Sequence, residues 1–69
     1  MKQLTIRKER LLRKWTLEFV AKSIGVKKST IQMLESGQRK PSYEVLVKLE
    51  DLFGKTHREL FAEAEEPNG

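Results

Sequence analysis

Thr16-Leu17-Glu18-Phe19-Val20-Ala21-Lys22-Ser23-Ile24-Gly25-Val26-Lys27-Lys28-Ser29-Thr30-Ile31-Gln32-Met33-Leu34-Glu35-Ser36-Gly37 is the stretch on which the fold turns. Thr16 can cap a helix, with Glu18 close to its positive end. Val20, Ala21 and Ile24 give that helix a buried face. Gly25 follows at once, where a left-handed residue ends a helix at little cost. Val26 leads into a further helix over about 28–36, with Ile31 and Leu34 inward, and Gly37 stops it. Two short helices joined by a turn of about three or four residues make a helix-turn-helix. The small Ala21 allows close approach, and Val20, Ile24, Val26, Ile31 and Leu34 fill the wedge.

The flanks add more helix and almost no strand, because β-branched alternation is nearly missing. Residues 2–14 form a charge-heavy first segment whose inner face is ambiguous. Leu4, Leu11 and Trp15 share one stripe at helical spacing, while Ile6 lies near Arg10 and Arg13 on another. After the loop Gln38-Arg39-Lys40-Pro41, Ser42 caps a fourth helix. Val45, Leu46, Leu49, Leu52 and Phe53 give that helix the cleanest amphipathic pattern in the chain. Gly54 ends it. Thr56-His57-Arg58-Glu59 has the form of a capping box, and Leu60 and Phe61 give a short fifth helix something to bury. The expectation is an all-α, five-helix domain over residues 1–63 and an acidic, frayed tail over 64–69.

At 69 residues there is room for one domain. Cysteine is absent, which excludes a disulfide scaffold and a thiolate metal site and suits a reducing cytoplasm. No apolar run approaches the length of a membrane span, and the N-terminus lacks the apolar core of a signal peptide. The net charge of +4 conceals an asymmetry: residues 1–40 carry +8 and residues 41–69 carry −4. A basic half beside an acidic half suggests a polyanion partner for the first, against the plain alternative of a solvated charged surface.

The string from Thr16 to Val26, with Ser29-Thr30-Ile31, Leu34-Glu35-Ser36-Gly37 and Pro41-Ser42, resembles the XRE/Cro family of phage-repressor-like DNA-binding domains. The likeness runs on to Leu60-Phe61. It implies a compact, lambda-repressor-like five-helix domain with the helix-turn-helix at helices two and three, the third entering the DNA major groove. This chain departs from the family pattern at three positions. Leu17 stands where a phosphate-binding Gln is common, Phe19 occupies a usually polar position, and Lys27 replaces a capping Ser or Thr.

At 100° per residue, with Ile31 and Leu34 inward, Ser29, Gln32, Met33 and Ser36 point outward, and Lys28, Thr30 and Glu35 flank the core. By resemblance, Lys28, Ser29, Gln32 and Met33 are the base readers. Lys can donate to guanine, Gln can pair with adenine, and Met can touch a thymine methyl. The same resemblance assigns phosphate contacts to Thr16, Lys27, Thr30, Gln38, Arg39, Lys40, Ser42 and Tyr43. It also implies an ion pair between Arg10 and Glu35, and a homodimer contact near His57, Leu60 and Phe61.

No nucleophile–base pair, paired acids or phosphate-binding Gly loop is visible, so the sequence reads as a non-enzyme without cofactor. His57, the single histidine, lacks metal-ligating company. Trp15 reads as core; a single-stranded nucleic-acid binder would need interleaved aromatics. The expected function is a sequence-specific, double-stranded DNA-binding transcriptional regulator. It would be a repressor of bacterial, phage or mobile-element origin, cytoplasmic and nucleoid-associated, acting as a homodimer on a pseudo-palindromic operator. The alternatives are an antitoxin-type or other protein-interaction module, presenting Leu17, Phe19 or the acidic tail, and the DNA-binding fragment of a larger repressor.

Overall fold

A computed structural model describes residues 3–63, so Lys2 and the tail expected over 64–69 lie outside the described residues. Five helices follow one another: α1 (Thr5–Leu12), α2 (Leu17–Ile24), α3 (Lys28–Glu35), α4 (Tyr43–Phe53) and α5 (His57–Leu60). Among the described residues the one β-type pairing is an isolated antiparallel bridge between Leu4 and Glu63.

Side-chain caps start three of the helices. Thr16 Oγ1 accepts from the Phe19 amide at 2.9 Å, Ser42 from Val45 at 3.3 Å and Thr56 from Glu59 at 3.4 Å. Lys27 opens α3 without a side-chain cap. Gly25 ends α2 at φ 76°, ψ 36°, and this left-handed residue turns the chain sharply enough for α3 to fold back on α2.

The first segment is shorter than its composition suggests. It stops at Leu12 because Lys14 takes φ 59°, the one described non-glycine residue with positive φ. The amides of Lys14 and Trp15 return to the carbonyls of Leu11 and Arg10 at 3.0 and 3.1 Å, a Schellman closure built on lysine.

The core is Ile6, Val20, Ala21, Ile24, Ile31, Leu34, Leu49, Phe53 and Leu60. Every helix contributes to it. Full burial of a side chain such as Ile31 is worth roughly 1.5–3 kcal/mol. The inner face of α1 is therefore the one carrying Ile6 and Arg10. Leu11, on the competing stripe, is 47% exposed, and Leu12 is 66% exposed. Leu4 and Trp15, the other members of that stripe, pack only at the core's margin.

Arginines fasten the elements. Arg13 donates through Nη2 to the Phe53 carbonyl at the end of α4, at 2.9 Å, and through Nη1 to Glu9 Oε1 at 2.7 Å. A cation suits the negative end of a helix. The bond from Arg13 also holds the Glu9 carboxyl below its ordinary value. Between α4 and α5, Glu50 Oε2 accepts from the His57 amide at 2.7 Å and meets the ring Nδ1 at 2.9 Å. It thereby covers the start of α5, and its carboxyl is held low by those two bonds.

Candidate nucleic-acid interface

The site is built on α3. Ile31 and Leu34 are sealed in the core, and Glu35 is buried beside them. That fixes the helix about its own axis and leaves Lys28, Ser29 and Gln32 exposed, with Thr30, Met33 and Ser36 half-buried. Ser36 Oγ donates to the Met33 carbonyl at 3.2 Å, which turns its hydroxyl back onto the helix. The Gln38 amide bonds to the Met33 carbonyl at 2.9 Å, so the loop Gln38-Arg39-Lys40 leaves α3 in a fixed direction, fully exposed. Tyr43, on the first turn of α4, is 83% exposed. Thr16 and Ser42 are exposed and engaged as caps, with Lys27 exposed at the start of α3.

The orientation of α3 is braced by a buried ion pair. Arg10 Nε lies 2.6 Å from Glu35 Oε2, and its Nη2 donates to Oε1 at 3.2 Å. Its remaining nitrogen, Nη1, donates to the Trp15 carbonyl at 2.9 Å. One guanidinium thus joins α1, α3 and the strand of chain entering α2.

The charge pattern is selective. The carboxylates of Glu9, Glu35, Glu44, Glu50 and Glu59 are occupied by Arg13, Arg10, Lys48, His57 and Lys55 respectively. Among the described residues none of them reaches Lys27, Lys28, Arg39 or Lys40. All four of these cations are exposed.

Two grooves flank α3 and its following loop. One, of about 560 Å³, brings Ser29, Gln32, Met33 and Gln38 together with Leu17. Its other wall is Gln3 and Arg7, from the start of the chain. The second, of about 370 Å³, places Arg39 and Lys40 beside Leu4, Leu46, His57 and Phe61. The expected phosphate-contacting and dimer-contacting residues therefore share a boundary. Thr16, Lys27, Lys28, Thr30, Ser42 and Tyr43 are not among the lining residues of either groove. Leu60 is 0% exposed, its side chain taken up by the core of its own chain. Of the three residues expected at a dimer contact, His57 and Phe61 remain at the surface.

A helix-turn-helix family model matches residues 6–60, which is most of the chain and all five helices. The chain belongs to the XRE/Cro family of helix-turn-helix proteins. It is also similar to the HTH-type transcriptional regulator AnsR of Bacillus subtilis (strain 168), with 48% identity over 46 residues, or 67% of this chain. The aligned part spans 40% of that relative's length. No solved structure gave a match.

Against the XRE/Cro pattern, the departures have physical form here. Leu17 packs against the margin of the core and lines the larger groove with a side chain that cannot donate a hydrogen bond. Phe19 is 45% exposed, its ring 5.1 Å from that of Trp15. Gln3 and Arg7 are the groove residues that sequence reasoning missed. For Arg7 the signal was available: it lies one turn before Arg10 on α1, and a link from Arg10 to Glu35 draws that face alongside α3.

Proposed function

We propose that this XRE/Cro-family chain is a sequence-specific, double-stranded DNA-binding transcriptional regulator, a repressor of bacterial, phage or mobile-element origin, whose α3 lies in the major groove. The observation that carries the reading is the fixed rotation of α3. Ile31, Leu34 and Glu35 face inward, so Lys28, Ser29 and Gln32 face outward, and among the described residues Lys27, Lys28, Arg39 and Lys40 have no carboxylate partner. The similarity to the Bacillus transcriptional regulator supports the regulatory role.

In this reading Lys28, Ser29, Gln32 and Met33 meet base edges. Thr16, Lys27, Thr30, Gln38, Arg39, Lys40, Ser42 and Tyr43 position the protein on phosphates. One eight-residue helix reads only a few base pairs, so two protomers bind a pseudo-palindrome with half-sites about 10 bp apart. They meet through the apolar groove that holds His57 and Phe61. No catalytic step or cofactor enters this function.

The test is selection of duplexes from a random-sequence pool, followed by titration across salt. Neutralising about 4 to 6 phosphates per protomer gives a log–log slope of about −0.9 per contact. Binding that ignores salt, or no duplex binding at low salt, overturns the reading. A second reading, a protein-interaction module, draws on the exposure of Leu12 and Phe19. It predicts that Phe19→Ser abolishes capture of a protein partner and leaves duplex titrations unchanged.

A further inference from the structure

We propose that Arg7, on α1, clamps a DNA backbone phosphate beside the reading helix; this rests on the DNA-binding reading above. Arg7 lines the 560 Å³ groove opposite Ser29 and Gln32. Its side chain is exposed, and it takes part in none of the ion pairs among the described residues. The other charges lining that groove are Arg10 and Glu35, which neutralise each other at 2.6 Å. Among the described residues Arg7 is therefore the one uncompensated charge on its walls.

The position is rigid as well as charged. The Leu4 amide donates to the Glu35 carbonyl at 3.2 Å, and Arg10, on the same α1 face one turn after Arg7, grips the Glu35 carboxylate. These two ties hold the segment that carries Arg7 against α3. Leu17, on the same groove, offers no donor, so a phosphate there meets the Arg7 fork as its cation. The guanidinium matches phosphate oxygens two at a time. The ligand is a phosphate rather than a base edge because Arg7 stands on the neighbouring helix. In a helix-turn-helix complex the inserted helix reaches the floor of the major groove, and elements alongside it meet the backbone walls.

The experiment compares the parent with Arg7→Ala, Arg7→Lys and Lys8→Ala. Lys8 is the adjacent exposed cation and does not line the groove. Each protein is titrated against a labelled mixed-sequence duplex and against a duplex enriched by the parent from a random pool, across a salt series. Arg7→Ala is expected to keep the parent melting temperature and to bind both duplexes about eightfold more weakly at about 0.1 M salt, with a log–log slope flatter by about 0.9. Arg7→Lys should keep the slope, and Lys8→Ala should match the parent. Three results overturn the proposal while leaving DNA binding intact: an Arg7→Ala protein with parental affinity and slope, an equal flattening in Lys8→Ala, or a loss confined to the enriched duplex. A parent that binds neither duplex overturns the DNA-binding reading together with the clamp.

Discussion

Arg10 and Glu35 stand 25 positions apart in the chain and meet as a two-pronged pair, at 2.6 and 3.2 Å, with both residues buried. Taking either charge out of water is costly, and the partner's geometry offsets that cost. Glu35→Ala should therefore destabilise the fold by about 3–5 kcal/mol, because it strands a buried guanidinium. The double replacement Arg10→Met, Glu35→Leu should cost less than either single change. Urea unfolding of the three variants checks this; a double mutant worse than Glu35→Ala would show that the pair's other bonds carry the stability.

The left-handed Lys14 suggests a gain. A side chain with a Cβ at φ 59° bears a penalty of about 1–2 kcal/mol, and glycine gives back part of the relief as unfolded-state entropy. Lys14→Gly should stabilise the protein by about 0.5–1 kcal/mol, read as a higher urea midpoint at unchanged m-value.

On α3, inward and outward substitutions should separate cleanly. Lys28→Ala and Gln32→Ala touch exposed side chains and should shift stability by less than about 0.5 kcal/mol. At least one should lose about 1–3 kcal/mol on the preferred duplex while keeping mixed-sequence binding. Ile31→Ala opens the core and should cost about 2–5 kcal/mol, with DNA binding lost through unfolding. Melting curves paired with titrations on both duplexes decide. Outward variants that fold and bind like the parent would remove α3 from the reading role.

Acid should weaken the fold through two carboxylates. Glu9 is held below 4.5 chiefly by the hydrogen bond from Arg13, and Glu50 is held below 4.5 by the bonds from His57. A folded-state value lower than the unfolded one means that the contribution is complete above about pH 4.5 and is lost as pH falls through the depressed values. The melting temperature should drop below that pH, and Glu9→Gln should show a shallower drop. Equal acid profiles for parent and variant would mean that the Arg13 bond is not linked to folding.

The helix-turn-helix could be read before any coordinates because its signals are local. Thr16 caps within three residues, Gly25 turns the chain, and Ile31 and Leu34 sit one turn apart on a single helix. α1 resisted the same method for an equally physical reason. Its inner face is half arginine, and a periodicity that counts apolar residues scores Arg10 as solvent-facing and Leu11 as core. What reverses that assignment is Glu35, a partner no local window contains. The division of α5 was hidden for a related reason: a four-residue helix has too few positions to show which of Leu60 and Phe61 goes wholly to the core. The larger groove was hidden because one wall precedes the helix-turn-helix in the chain and the other belongs to it.

The clasp at the domain's edge carries a consequence for chain topology. Leu4 bridges Glu63, and the Ala62 carbonyl accepts both the Thr5 amide at 2.8 Å and its hydroxyl at 3.0 Å. The path from residue 4 to residue 63 is thus nearly a closed ring. A short flexible linker could seal it, and the chain could be reopened at the exposed Gly54, on the bend between α4 and α5. Such a circular permutant would keep α2 and α3 uninterrupted, with the new ends outside the helix-turn-helix.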